Sequence, residues 1–244
     1  MLEERDFEQT WLAKFSSSLD EIAGEEIREA VMEGSDELSS HSTGQEVIDW
    51  SKRAMERVDS LVDKEKRKRI MTGCACQYPK SDLQVMRKAY EDTKDAGVVH
   101  QMLQEQFESF LGNTLELSEE LVKEIVSKGW GVAGIKQGNT IIAAKMPKSG
   151  FLVEYVKETD SEKKRQYYCH CPRVRDVLET METISPTYCY CGAGFYKGIW
   201  EEILQEPVEV EVLASVLAGD EVCTIAVYLP SGQSPVESGK AEKQ

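Results

Sequence analysis

Long apolar runs are missing from this chain of 244 residues. None approaches the ~18 uninterrupted apolar residues that argue for a membrane-crossing helix. The opening, MLEERDFEQT, carries acids where a secretory signal needs a basic and then an apolar stretch. Positive charge is also in short supply, with 29 Lys and Arg against 44 Asp and Glu, a formal charge of −15. Such a field repels phosphate backbones and anionic lipid, so no nucleic acid and no membrane is expected as a partner. Histidine occurs only 3 times. There is no His-Glu-x-x-His, no Gly-x-Ser-x-Gly and no phosphate-binding loop, so the common zinc-protease, serine-hydrolase and nucleotide-binding signatures are excluded.

These absences point to the cytoplasm, where the redox poise keeps thiols reduced. Cysteine is what the chain does have, and the count of 7 is odd, so no complete disulfide set can form. Six fall in three pairs of one spacing: Cys74-Ala-Cys76, Cys169-His-Cys171 and Cys189-Tyr-Cys191. The seventh is Cys223. In a reducing compartment such residues read first as metal ligands or reactive groups, so all seven are candidate ligands of a thiolate-bound metal ion, with zinc, copper(I) and an iron–sulfur cluster all open. The competing reading is packing, because free cysteine is often buried as a small hydrophobe. His170 could add an imidazole, although on a strand it would point away from both neighbouring cysteines.

The fold expected is α+β, a helical N-terminal half packed on an antiparallel sheet with flanking helices. Phe7, Trp11, Leu12, Phe15 and Leu19 recur at helical spacing, and Val47, Trp50, Met55, Val58 and Leu61 mark another amphipathic stretch. Further helices are expected from Ser81, over Val98 to Leu111, and from Ser118 to about Lys128. Short segments rich in β-branched and aromatic residues then predict strands at Trp130 to Ile135, Thr140 to Ala144, Phe151 to Val156 and Gln166 to His170. A helix is expected from Pro172 to about Met181, and another over Gly192 to Gln205. Val208 to Val212 and Val222 to Leu229 predict the last two strands. The divisions expected are a helical region 1–70, an α+β ligand-binding domain 71–230 and a disordered tail 231–244. The basic run Asp63 to Arg69 reads as a solvated helix face.

From Pro186 onward the chain resembles the C-terminal half of the 4-vinyl-reductase domain, a small-molecule-binding α+β module. The resemblance rests on Cys189-Tyr-Cys191-Gly-Ala-Gly-Phe-Tyr-Lys-Gly-Ile, on Val208 to Ser215, and on Gly219-Asp220-Glu221-Val222-Cys223. It implies a small-molecule ligand, and in zinc-binding relatives a site of three cysteines and a glutamate. Cys189 and Cys223 fall on two of those positions, whereas Val212 and Ser215 stand where that motif has glutamate and cysteine. The standard quartet is therefore incomplete, and a metal would have to recruit Cys191, Cys169, Cys171 or the Cys74 pair. The early cysteine-containing helical region, Cys171-Pro172 and the terminal cysteine strand also resemble the 2-amino-thiazoline-4-carboxylate hydrolase family, which implies ring-opening hydrolysis of a cyclic amino-acid derivative.

Three functions follow as expectations. The favoured one is a small-molecule-binding protein with a thiolate site holding a metal ion nearby. The alternative is an enzyme, either with Cys171 or Cys191 at a helix start as its nucleophile, where the helix dipole favours thiolate, or with a bound metal that activates water. The third is partner binding through the acidic N-terminal helices, with a homodimer left open.

Overall fold

A computed structural model describes residues 7–39, 41–147, 151–171, 173, 175–180 and 182–230. The N-terminal half is helical, and its elements start and stop where the side chains dictate. Helix α1 (Phe7–Ala23) buries the stripe Trp11, Leu12, Phe15 and Leu19, and α2 (Glu25–Met32) follows directly. Helix α3 (Gly44–Leu61) opens on a capping box. Thr43 Oγ1 accepts from the Glu46 amide at 3.3 Å, while the Thr43 amide donates to Glu46 Oε2 at 2.7 Å. Asp63 caps α4 (Lys64–Gly73), Pro79 precedes α5 (Lys80–Thr93), and Asp95 caps α6 (Ala96–Ser109). A π-helical turn over Phe110–Thr114 leads to α7 (Glu119–Ser127), which Ser118 caps.

The sheet begins after α7. Strand β1 (Ile135–Gln137) turns through Gly138-Asn139 into β2 (Thr140–Ala144), with Gln137 opposite Thr140. Helices α8 (Leu152–Lys157), α9 (Ser161–Tyr168) and α10 (Tyr190–Leu204) come before β3 (Glu209–Ala214) and β4 (Thr224–Tyr228). All neighbours in the order β1-β2-β4-β3 run antiparallel. Alternation sends Ile141 and Ala143 of β2, Val210 of β3, and Ile225 and Val227 of β4 into one core with the helical half. Helix α10 is the central element, packing on α4, α5 and β3. Gly194 makes this approach possible, because a Cβ there would come 2.8 Å from Ala75 Cβ and collide with the carbonyl of Thr72. The α+β architecture expected from the sequence is the one observed. Among the described residues, no helix is long and apolar enough to cross a membrane.

Two expected strands are helices instead. Phe151 to Val156 forms the start of α8, where Leu152 and Tyr155 bury one face at a spacing of three. Most of the segment from Gln166 to His170 belongs to the end of α9, whose start is set by Asp160 accepting from the amides of Glu162 and Lys163. Of Trp130 to Ile135, Trp130 makes only an isolated bridge to Ala144 and pairing starts at Ile135. The helix expected from Pro172 to Met181 is a 3-10 turn at Arg175–Glu179, and its two end residues lie outside the described residues. The expected disordered tail, 231–244, also lies outside them.

One buried cation ties the N-terminal helices to the later half. Arg173, 3% exposed, donates from Nε to the Tyr188 hydroxyl at 3.0 Å and from Nη2 to Ser51 Oγ at 3.1 Å. It also pairs with Glu8 and lies 4.0 Å above the Trp11 ring. Trp11 in turn stacks on Tyr188 with centroids 5.5 Å apart. Removing the guanidinium leaves a largely buried carboxylate and hydroxyl without these donors. Arg173→Met is therefore expected to cost about 3–5 kcal/mol in urea unfolding, and Arg173→Met with Glu8→Gln to recover part of that loss. A single variant within about 1 kcal/mol of the parent protein would show that this contact anchors nothing.

Candidate functional site

At one end of the sheet, β2 and β4 part around a buried tyrosine. The Lys145 amide donates to the Cys223 carbonyl at 3.0 Å, which extends the ladder by one step. Beyond it the fully buried Tyr168 hydroxyl donates to the Lys145 carbonyl at 2.5 Å and accepts from the Cys223 amide at 3.0 Å. The N-terminal turn of α10 lies across this end, with Cys189 at its cap position and Cys191 in its first turn. Phe107 closes another side. Gly131, at φ +100°, is glycine because any Cβ there would overlap the Phe107 ring. Its carbonyl accepts from the Tyr196 hydroxyl at 3.3 Å.

These elements enclose a cavity of about 500 Å³. Six of the seven cysteines line it: Cys76, Cys169, Cys171, Cys189, Cys191 and Cys223. Trp11, Phe107, Tyr168, Tyr188, Phe195 and Tyr196 supply aromatic wall, and Val212, Val216, Leu217 and Ile225 supply aliphatic wall. Among the described lining residues there is no Asp, Glu or Arg, and Lys145 is the one lysine. The exposed Cys76, His170 and Phe7 stand at the mouth.

Residues 102–233, more than half of the chain, match the model of a family of unknown function, DUF6144. The chain belongs to that family. No curated protein matches it, and no solved structure does. The DUF6144 segment carries Phe107, Lys145, Tyr168 and five of the cavity cysteines, whereas Trp11 on α1 and Cys76 in the link between α4 and α5 come before it. In this DUF6144 protein the cavity is thus built by the family segment and completed by α1 and the link between α4 and α5.

Each expected site cysteine has a definite place. Cys74 is apart from the other six: it ends α4, is 1% exposed, and its thiol donates to the Ile70 carbonyl at 3.3 Å. It behaves as packing. Cys76 is exposed. The Cys171 thiol donates to the Tyr188 hydroxyl at 3.9 Å. Burial pushes the thiols of Cys169 and Cys189 up to about 12 and that of Cys191 up to about 11, and raises Cys223 as well. The Lys145 ammonium pulls all four the other way, and burial outweighs it. The expectation that the start of α10 makes its cysteines thiolates therefore meets a larger opposing effect, loss of water, and Cys189 and Cys191 stay protonated near neutral pH.

The positions carried by the 4-vinyl-reductase resemblance do meet in space. Cys189, Val212 and Cys223 line the cavity, and the Cys189 thiol is hydrogen-bonded to the side chain of Ser215. The donors have the right chemistry for a soft metal but not the spacing: among the described residues, no three His, Cys, Asp or Glu side chains form a group that could hold a metal ion. His170 bonds through Nε2 to the Met146 carbonyl. Of the basic run, Lys64, Lys66 and Arg69 are exposed, while Arg67 and Lys68 are partly buried and paired, Arg67 with Asp59 at 3.0 Å and Lys68 with Glu211 at 2.5 Å.

Sequence reasoning missed Lys145, Tyr168 and Arg173. Lys145 could have been found, because it continues the inward phase of Ile141 and Ala143.

The raised thiols carry a pH dependence of definite sign. Their native values of about 11 and 12 lie above the ordinary 9.0, so the folded state holds these protons more tightly than the unfolded chain. That contribution is fully present below pH 9.0 and is lost as pH rises towards 12. Under reducing conditions the urea midpoint is expected to fall steadily from pH 9 upward. Cys189→Ser is expected to flatten the fall, and an identical slope in that variant would contradict the burial of this thiol.

Proposed function

We propose that this chain is a small-molecule-binding protein of 4-vinyl-reductase-like type, working in the cytoplasm, whose ligand sits in the cysteine-lined cavity. The observation that carries this reading is the convergence of Cys169, Cys171, Cys189, Cys191 and Cys223, from three separate segments, on one largely apolar space with Cys76 at its mouth. Its volume suits a ligand of a few rings, within the roughly 300–1,000 Å³ of ordinary ligand pockets. Protonated thiols and aromatic faces make a polarizable wall that can hold an apolar molecule without charged partners.

A thiolate-held metal ion, zinc in particular, is the second reading, favoured by the same gathering of sulfur. It requires the thiols to move inward and to shed their protons. Metal uptake by the reduced protein should therefore strengthen with rising pH and fall when Cys189 and Cys223 are both changed to Ser. Elemental analysis after anaerobic purification that finds no metal, with no uptake of added Zn²⁺ at pH 9, would remove this reading. The hydrolase alternative, acting on a cyclic amino-acid derivative, needs either a nucleophilic thiol or a metal-activated water. Burial of Cys191 weighs against that residue in the role.

The cavity reading is tested with N-phenyl-1-naphthylamine, a neutral two-part aromatic fluorophore. The protein should bind one equivalent with enhanced emission, and Leu217→Trp, which fills the cavity from its aliphatic wall, should weaken binding by about tenfold or more. Binding that is unchanged in Leu217→Trp, or no binding at all, would refute a ligand site here.

A further inference from the structure

We propose that Lys145 is the anion anchor of the cavity, so that its ligand is an apolar molecule bearing one acidic group. The inference rests on the cavity reading above and adds the chemistry of what enters. Lys145 follows Ile141 and Ala143 on the inward phase of β2, and both of those residues are fully buried. Such a position is ordinarily apolar, since a cation there gives up hydration. Its ammonium rests on the first turn of α10: a Cβ on Gly192 would come 2.5 Å from Lys145 Nζ. Glycine at 192 is what lets the cation reach inward.

Nothing among the described residues neutralises it. The ammonium has no ion pair and no hydrogen bond there, and no carboxylate lines the cavity although the chain carries 44 acids. The polar groups on which its charge acts are the thiols of Cys169, Cys189, Cys191 and Cys223, which burial keeps in the neutral form. The positive end of α10 adds field of the same sign. A partly buried cation without an ion-pair partner, facing protonated thiols and aromatic rings, disfavours a second cation and favours one anion. The cavity wall offers one such point and otherwise apolar surface, which fits an aromatic or aliphatic carboxylate, sulfonate or phosphate rather than a polyanion.

The test uses two probes of the same skeleton, N-phenyl-1-naphthylamine and its sulfonated counterpart 1-anilinonaphthalene-8-sulfonate, titrated into reduced protein. The anionic probe should bind roughly tenfold more tightly than the neutral one. Lys145→Met should abolish that preference by weakening the anionic probe alone, while Lys145→Arg should keep it. Lys80→Met, in the adjoining charged groove and outside the cavity lining, should change neither probe. Equal binding of the two probes by the parent protein overturns the anchor and leaves the cavity standing. So does a Lys145→Met effect shared by both probes, or a preference lost in Lys80→Met instead. If Lys145→Met slows iodoacetamide labelling of the cavity thiols with the preference intact, the lysine serves a thiolate and the proposal fails. If neither probe binds, the cavity reading falls with it.

Discussion

A single buried hydroxyl holds open the end of the sheet on which everything else depends. Tyr168 satisfies the Cys223 amide and the Lys145 carbonyl where β2 and β4 stop pairing with each other. Two strand ends in a dry interior would otherwise leave a donor and an acceptor without partners, or close together and fill the space. With the tyrosine between them, the ends of β2 and β4 are fixed apart. The first turn of α10 roofs the gap, and the cysteines of two Cys-x-Cys pairs and Cys223 face one another across it.

The electrostatics of that space follow from its dryness. A helix start favours thiolate at its first residues, and a lysine nearby favours it further. Both effects are present at Cys189 and Cys191, yet desolvation is larger and leaves the thiols protonated. The result is a wall of neutral sulfur and aromatic carbon around one cation. Such a wall suits recognition of an apolar shape with a single charge better than nucleophilic attack, which needs a thiolate on demand. Arg173, beneath the wall, does different work: its partners Glu8, Ser51 and Tyr188 join α1, α3 and the cavity floor, so its charge is spent within the protein.

Much of the architecture was legible from side-chain period. The stripe Trp11, Phe15, Leu19 and the cap Ser118 set elements that depend on nearest neighbours alone. The two misread strands fail for a physical reason. Leu152-Val-Glu-Tyr-Val is rich in β-formers, and only its packing, through Leu152 and Tyr155, makes it helical. In α9 the deciding signal was Asp160, a cap that lies before the segment in question and starts the helix running into it. The cysteine pairs announced a site because their spacing repeats, but spacing could not reveal that Cys74 packs under α4 while its neighbour Cys76 reaches the cavity mouth. Lys145 was visible in the register of β2 once that strand was known. Arg173 was not, because two of its partners, Ser51 and Glu8, lie 122 and 165 residues away in sequence.

The central claim is that these sulfurs surround a ligand. The most direct measurement is a crystal of the reduced protein soaked with a bromine-labelled aromatic carboxylate and read by anomalous scattering at the bromine edge. The account predicts a bromine peak inside the space bounded by Cys169, Cys189, Cys223 and Phe107, with the carboxylate against Lys145 Nζ. A peak only in the charged groove beside Lys80 and Glu202, or a cavity closed by its own side chains, would contradict it.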